Sequence, residues 1–348
     1  MMDKSSADVF VYAKASGILA KSFVGSRASK LFSATSLGGL WELLFASEVP
    51  SVSDAVLVQM IEREAEDRFL RDYSLLVGKY SKPHDFFVDL LRFYDYNNLK
   101  SIIASLAQSD QQKIGVISPN LSSVGKYSML NYDGWPSLKK ITQGTSVSWC
   151  SEVDNSMTQH DVESKLDIQY IKKLWDSASC LDRASRKPVK ELLQEEMVLN
   201  NIVWSLRLRL YYGMDKEPVL NRLTTAQECS VPKGVRSDEF VKPMLDALSL
   251  PLDSREEWEG WKYSYLLNPR TDSGSWVVDP RWIQRMARFE LCKRALKEFH
   301  HHPFTGHVLF CWFKIKQYEL DCIRMAVEGI RLKMSPIQVG NFAGMKIG

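Results

Sequence analysis

The chain has 348 residues, of which 45% are apolar and 25% charged; this is ordinary globular usage, and the length favours two or three cores over one. Its 45 basic residues face 42 acidic ones, a formal +3, which is not the concentrated basic excess of a phosphate-binding protein, so no nucleic-acid partner is expected. The N-terminal stretch MMDKSSADVFVYAKASG lacks an apolar signal core. The longest apolar run, Val308 to Phe313, is far short of the roughly 20 residues of a spanning helix, so no transmembrane insertion is expected.

Helical periodicity dominates. Residues 9–31 carry apolar or small side chains at turn-like spacing. Residues 51–80 form a strong helical pattern, with Ser53 or Asp54 as the candidate N-cap. A second strong pattern covers 84–108. The following segment, rich in Ser, Gly, Asn and Pro, is a connection. Helix is predicted again over 161–185, and Pro188 suits the first turn of a helix reaching Tyr212. Short helices are expected at 238–248 and 254–262, with a loop at 268–276. Two long ones follow at 279–300 and 307–333, around HHPFTG. No sustained apolar/polar alternation and no hairpin pair is present, so the predicted class is all-α.

Three of these helices share a late motif: FYDYNNLKSIIASL, EMVLNNIVWSLRLR and QYELDCIRMAVEGI. Aligning Asn98, Asn201 and Cys322 also matches Leu99 with Ile202 and Ile323, and Ile103 with Leu206 and Val327. Asp95 and Glu319 occupy the same place, which is Val198 in the second copy. The anchors lie 103 and 121 residues apart, too far for a solenoid of small units. A long helix precedes each copy. The expectation is three related helical bundles in series, at 1–110, 111–225 and 226–348.

The motif puts a carboxylate where grease belongs. Glu319 falls mid-face among Trp312, Ile315, Leu320, Ile323 and Val327; Asp95 sits similarly among Leu91, Leu99, Ile102 and Ile103. Burying either one unpaired would cost several kcal/mol. Either the carboxylate is paired inside the bundle, with Arg285 or Arg288 the first bases to consider for Glu319, or it faces a partner protein.

In these motifs the chain resembles the C-type central-stalk component of the bacterial and archaeal V/A-type rotary ATPases, the relative of the d component of the eukaryotic enzyme. The resemblance covers most of the chain. It is carried by VFVYAKASGILAKSF (9–23), FYDYNNLKSII (93–103), LDIQYIKKLWDSA (166–178) and above all HVLFCWFKIKQYELDCIRMAVEGIRLKMSP (307–336), where Lys316, Glu319, Ile323, Arg324 and Pro336 fit the family pattern. Gln317, Cys322 and Val198 depart from it, and residues 109–160 match poorly. The resemblance implies a funnel of three pseudo-symmetric helical bundles on the cytoplasmic face of a membrane proteolipid ring. Its socket would receive a central shaft of subunits D and F. The chain would couple rotation to proton or sodium transport without chemistry of its own. The other reading is an all-helical scaffold or adaptor of a different membrane-associated complex.

Motifs for chemistry are missing. There is no G-x-x-x-x-G-K-[ST] loop, no G-x-G-x-x-G after a strand and no paired-aspartate motif of a prenyl-transfer enzyme, so no cofactor is expected. Cys150, Cys180, Cys229, Cys292, Cys311 and Cys322 form no CxxC pair and are expected to be reduced. His300, His301, His302 and His307 invite a metal reading, but no carboxylate or cysteine is spaced along the sequence to complete a site; a polar helix end is expected. Trp204, Trp258, Trp261, Trp276 and Trp282 are expected as packing anchors. RLRLYYG (207–213) is expected as a solvated helix end, and EREAEDRFLRD (62–72) as an exposed face with charge pairs.

Overall fold

A computed structural model describes residues 2–112, 119–153, 157–220, 222–223, 237–270 and 276–343. Helix α1 (Lys4–Leu19) starts at Asp3, whose carboxylate accepts from the Ser6 amide at 3.1 Å. It ends well before residue 31. The Arg27 guanidinium folds back to donate to the Ala20 carbonyl and, at 2.5 Å, to that of Leu19, so orphan carbonyls at the helix end find a donor. Gly25, at φ 58°, turns the chain into a 3₁₀ turn and the short α2 (Ser29–Phe32). Helix α3 (Leu37–Phe45), a further short element, is capped by Ser36.

The long helices follow the periodicity. They begin with α4 (Asp54–Val77), with Ser53 at its N-cap, and α5 (Asp85–Gln112). After the one-turn α6 (Leu138–Thr142), α7 (Gln159–Ser179) opens on a capping box in which Thr158 and Asp161 satisfy each other's amides. The break predicted after Ser185 comes earlier, because α7 stops at Ser179. Asp182 accepts from the amides of Ala184 and Ser185 at 3.1 Å and so starts α8 (Arg183–Tyr212). Pro188 therefore lies in the second turn of α8, not the first, where it forfeits one backbone bond. Gly213, at φ 60°, ends the helix.

Helices α9 (Lys216–Leu220) and α10 (Ser237–Ser249) follow. The helix expected at 254–262 is only a 3₁₀ turn, Arg255–Trp258. Then come α11 (Pro280–His301), α12 (His307–Arg331) and α13 (Pro336–Phe342), the last begun by a Ser335/Gln338 capping box. No strand occurs among the described residues, and the protein is all-α; an isolated bridge joins Met2 to Tyr80.

The helices pack in a circuit. In sequence they form three hairpins: α4 with α5, α7 with α8, α11 with α12. In space the second arm of each lies on the first arm of another, α5 on α7, α8 on α11 and α12 on α4. Helix α12 is the most enclosed. Its residues from Val308 to Ile315 are all buried, so it is apolar nearly all round, and α1, α2 and α13 also pack on it. Phe69 and Tyr73 of α4 meet Trp312 and Phe313 of α12, with ring centroids 5.8 Å apart for Phe69–Trp312 and 4.9 Å for Tyr73–Phe313. One large core runs from α1 to α13. A second, smaller core joins Tyr96, Leu99 and Ile102 of α5 to Leu130, Ile141, Val147 and Leu166.

Among the tryptophans, Trp258, Trp261 and Trp276 are buried anchors, and Trp282 is half-buried. Trp204 is not an anchor: it is 44% exposed, because α8 turns that face toward an open cavity. The described cysteines form no disulfide, and Cys229 lies outside the described residues. In RLRLYYG, Tyr211 and Tyr212 are exposed. Arg209, in contrast, donates to the carbonyls of Ala247 and Leu250 at 3.0 and 2.6 Å, and so fastens α8 to the end of α10.

Candidate functional site

The two motif carboxylates are both buried, and both bind backbone. Asp95 is fully enclosed. It accepts from the Met129 amide at 2.7 Å and from the hydroxyls of Ser128 and Tyr132 at 2.8 Å each. Burial pushes its carboxyl above the usual range, and these three donors pull the other way. Asn98, one turn on, exchanges hydrogen bonds with the backbone of Ser122 at 2.8 and 2.9 Å, and donates to Tyr132 at 2.7 Å. Together they strap the connection after α5 to the helix.

Glu319 does the same at the other end of the chain. It is 4% exposed, accepts from the Phe23 amide at 2.5 Å and pairs with Lys316 one turn earlier. Lys316 also donates to the Ser22 hydroxyl at 3.1 Å. Its bases are thus not Arg285 or Arg288. Arg288 reaches Asp321 at 2.9 Å, and Arg285 lies over the Trp282 ring. The reason is distance along the helix: Lys316, at i−3, already shares the face of Glu319, and α11 presents its arginines to the neighbouring face.

Ser22–Phe23 stands to Glu319 as Ser128–Met129 stands to Asp95. In each case a serine–apolar pair from a segment that leads into short helices docks on the carboxylate of a long one. Apart from Arg324, the remaining motif positions serve the interior. Leu99, Ile202 and Ile323 are buried in the cores, Asn201 is 4% exposed, and Val198, 3% exposed, fills with an apolar group the place where the other copies bury an acid.

Beside these straps lies a cavity of about 650 Å³. Its lining preserves the register of the repeat. Five residues before the Asn98/Asn201/Cys322 anchor are Phe93, Glu196 and Gln317. Four before it are Tyr94, Met197 and Tyr318, and one before it are Asn97, Asn200 and Asp321. All nine line this one cavity. Positions −5, −4 and −1 form one helical stripe, so three helices turn the same stripe toward a common space.

The cavity lining mixes polar and apolar groups, and its polar ones are cross-linked. Lys314 reaches Glu196 at 2.7 Å and Gln317 at 3.1 Å, Arg207 reaches Gln284 at 2.6 Å, and Asp321 sits between Arg288 and Arg324. Arg324 also reaches Glu66 of α4 at 3.0 Å, which takes Glu66 out of the otherwise exposed charged face of residues 62–72. Burial pushes the Asp321 carboxyl up, against the pull of Arg288 and Arg324. Trp204 stands exposed on the lining. Such a surface of both signs with aromatic groups suits a large polar partner. The motif positions alone do not reveal these nine residues, but the same alignment, read one turn earlier, contains them.

The histidines part company. His300 meets the Tyr12 hydroxyl at 3.0 Å. His307 is fully buried, 3.0 Å from Glu298 and 3.2 Å from Cys311. The expectation that no carboxylate or cysteine could join it fails, because the α11–α12 turn folds Glu298 back onto α12 and Cys311 lies one helical turn from His307.

Residues 30–342 match the profile of the ATP synthase (C/AC39) subunit family. The chain belongs to that family. A protein of Treponema pallidum (strain Nichols), described only as uncharacterized, is 32% identical over 330 residues, covering 94% of each chain. Within the ATP synthase (C/AC39) subunit family, the matched span includes both buried carboxylates, the straps at Asn98 and Lys316, and every residue of the cavity stripe. Helix α1 and Ser22–Phe23 precede that span. Membership makes this chain a subunit of a V/A-type ATPase complex, and no described helix is long and apolar enough to cross a membrane.

Proposed function

We propose that this chain is the non-catalytic central-stalk subunit of its ATPase: a socket that couples a rotating shaft, subunits D and F, to the membrane proteolipid ring. On this reading it lies at the cytoplasmic face, and the complex moves protons or sodium ions as it hydrolyses or makes ATP. The three bundles at 1–110, 111–225 and 226–348 form a funnel about a pseudo-threefold axis, and the cavity lies on that axis.

The observation that carries the proposal is the register of the lining. Three copies of one sequence stripe meeting at one space are what a triplicated socket requires. The circuit of hairpins adds a mechanical reason. A torque applied to one hairpin passes through close-packed helices to the next, and close-packed interiors are poorly compressible. Asp95, Asn98, Lys316 and Glu319 fasten connecting segments to the long helices. Arg324 and Asp321, which face the cavity, are the motif-region residues that would meet the shaft.

The test is assembly. The full chain mixed with D–F shaft subunits should form a stable complex whose affinity falls with salt, since charged groups line the socket. Replacing Asn97 and Asn200 together by Trp should block that complex while the far-UV spectrum and melting stay those of the parent. Wild-type affinity in that folded variant, or no complex at saturating shaft over a range of salt, would end the proposal.

A further inference from the structure

The turn between α11 and α12 gathers three ligating side chains that a coupling role leaves unused. Glu298 lies in the last turn of α11. His307 and Cys311 are one turn apart on α12 and so share a face. Glu298 Oε2 is 3.0 Å from His307 Nε2, and Cys311 Sγ is 3.2 Å from the same nitrogen. All three ligand atoms lie within 4.8 Å of one another.

Both neighbours therefore meet one ring nitrogen. A Cys–His–Glu catalytic relay uses opposite nitrogens, and here Nδ1 is buried without a hydrogen-bond partner. Neither tautomer serves both contacts. With a proton on Nε2, the imidazole donates to the carboxylate, and the thiol faces an N–H. Without it, the thiol can donate to Nε2, and the carboxylate faces a lone pair. A cation at the shared focus turns all three contacts favourable.

We propose that Glu298, His307 and Cys311 form a binding site for one zinc-class divalent ion that staples the α11–α12 turn. The separations of 3.0 and 3.2 Å are a few tenths of an ångström below the ~3.4 Å expected between tetrahedral zinc ligands, a gap that small side-chain rotations close. The thiolate, imidazole and carboxylate set favours zinc over magnesium or calcium, which take oxygen ligands. Glu298 would bind through Oε2, because Oε1 is held by Arg294 at 2.6 Å; such outer contacts orient a ligand. The fourth position goes to water or to His302, whose ring centroid is 5.4 Å from that of His307. The imidazole ligates as the neutral ring and the cysteine as the thiolate. Binding thus exchanges one proton: the thiol S–H breaks, an S–Zn bond forms, and the proton leaves to solvent.

The turn is a sensible place for a staple. Its Gly306 amide donates to Ser185 Oγ of α8 at 3.0 Å, and His300 contacts Tyr12 of α1. Holding the turn therefore also holds α1 and α8.

The test uses the untagged full chain, stripped of metal by a chelator and titrated with Co²⁺ and then Zn²⁺. One equivalent of Co²⁺ should bring up a thiolate-to-cobalt charge-transfer band and the visible bands of tetrahedral cobalt. Zn²⁺ should abolish both, release about one proton per ion near neutral pH and raise the melting temperature. Cys311→Ala should remove the charge-transfer band, and Glu298→Gln should weaken binding roughly tenfold or more. Cys180→Ser, at an exposed thiol, should leave everything unchanged. Absence of a charge-transfer band in the wild type, which requires no variant to fold, overturns the proposal. So does a band that persists in Cys311→Ala or vanishes in Cys180→Ser.

Discussion

Replacing Glu319 by Leu tests whether the motif carboxylate is an internal strap. The side chain is almost wholly buried, so its loss strands two donors: the Lys316 ammonium, itself only 14% exposed, and the Phe23 amide. Breaking a buried pair from one side costs about 3–5 kcal/mol. The new leucine returns about 1–2 kcal/mol by burying apolar surface. The net loss should be about 1–4 kcal/mol, read as a lower urea midpoint at an unchanged slope in far-UV circular dichroism. Glu319→Gln, which keeps an acceptor for Phe23, should lose less. Lys316→Met/Glu319→Leu should recover most of the deficit, because it removes the stranded charge. If Glu319→Leu unfolds within about 0.5 kcal/mol of the parent, a difference typical of an inert surface site, the strap contributes nothing. If it does so and also fails to join its complex, Glu319 serves a partner instead.

Asp95→Asn should cost about 1–3 kcal/mol, because all three partners of Asp95 are donors and the amide adds a fourth donor among them. Its carboxyl is raised in the folded protein, so its contribution is complete below the ordinary aspartate value and is lost as pH rises through the folded one. The stability gap between wild type and Asp95→Asn should therefore narrow from pH ~4 upward, and a gap that widens in urea titrations would contradict this. Asp182 has the opposite sign. Burial would raise its carboxyl, but Lys4 and Ser185 hold it below the usual value, so the stability it lends is lost as pH falls below that value. Asp182→Asn should flatten the acid limb of the melting curve. Gly306→Val should be among the most damaging single changes, since an added Cβ would lie 2.5 Å from the Phe87 ring; a melting temperature equal to the parent's would show that the turn is loosely packed.

The long helices, the all-α class and the repeated motif were legible because they are local. Apolar spacing at 3.6 residues, the N-cap position of Ser53 and a recurring pattern such as NNLKSII depend on neighbours within a turn or two. Ends were less legible where their cause lay elsewhere in the chain. Helix α1 stops because Arg27 reaches back to its carbonyls, and α7 parts from α8 because Asp182 caps the second helix and not the first. The burial of Glu319 and Asp95 could be read from the face they occupy, but their partners could not.

By itself, then, the sequence determined which segments are helices, which stripe of each is apolar and that the pattern occurs three times. Tertiary structure alone decided that Glu319 meets Phe23, 296 residues away, that the −5, −4 and −1 stripes share one cavity, and that Glu298, His307 and Cys311 converge. Helix periodicity assigns each side chain a direction about its own axis. Where two such directions meet depends on how the helices cross and slide, and that is set by the packing of every face at once.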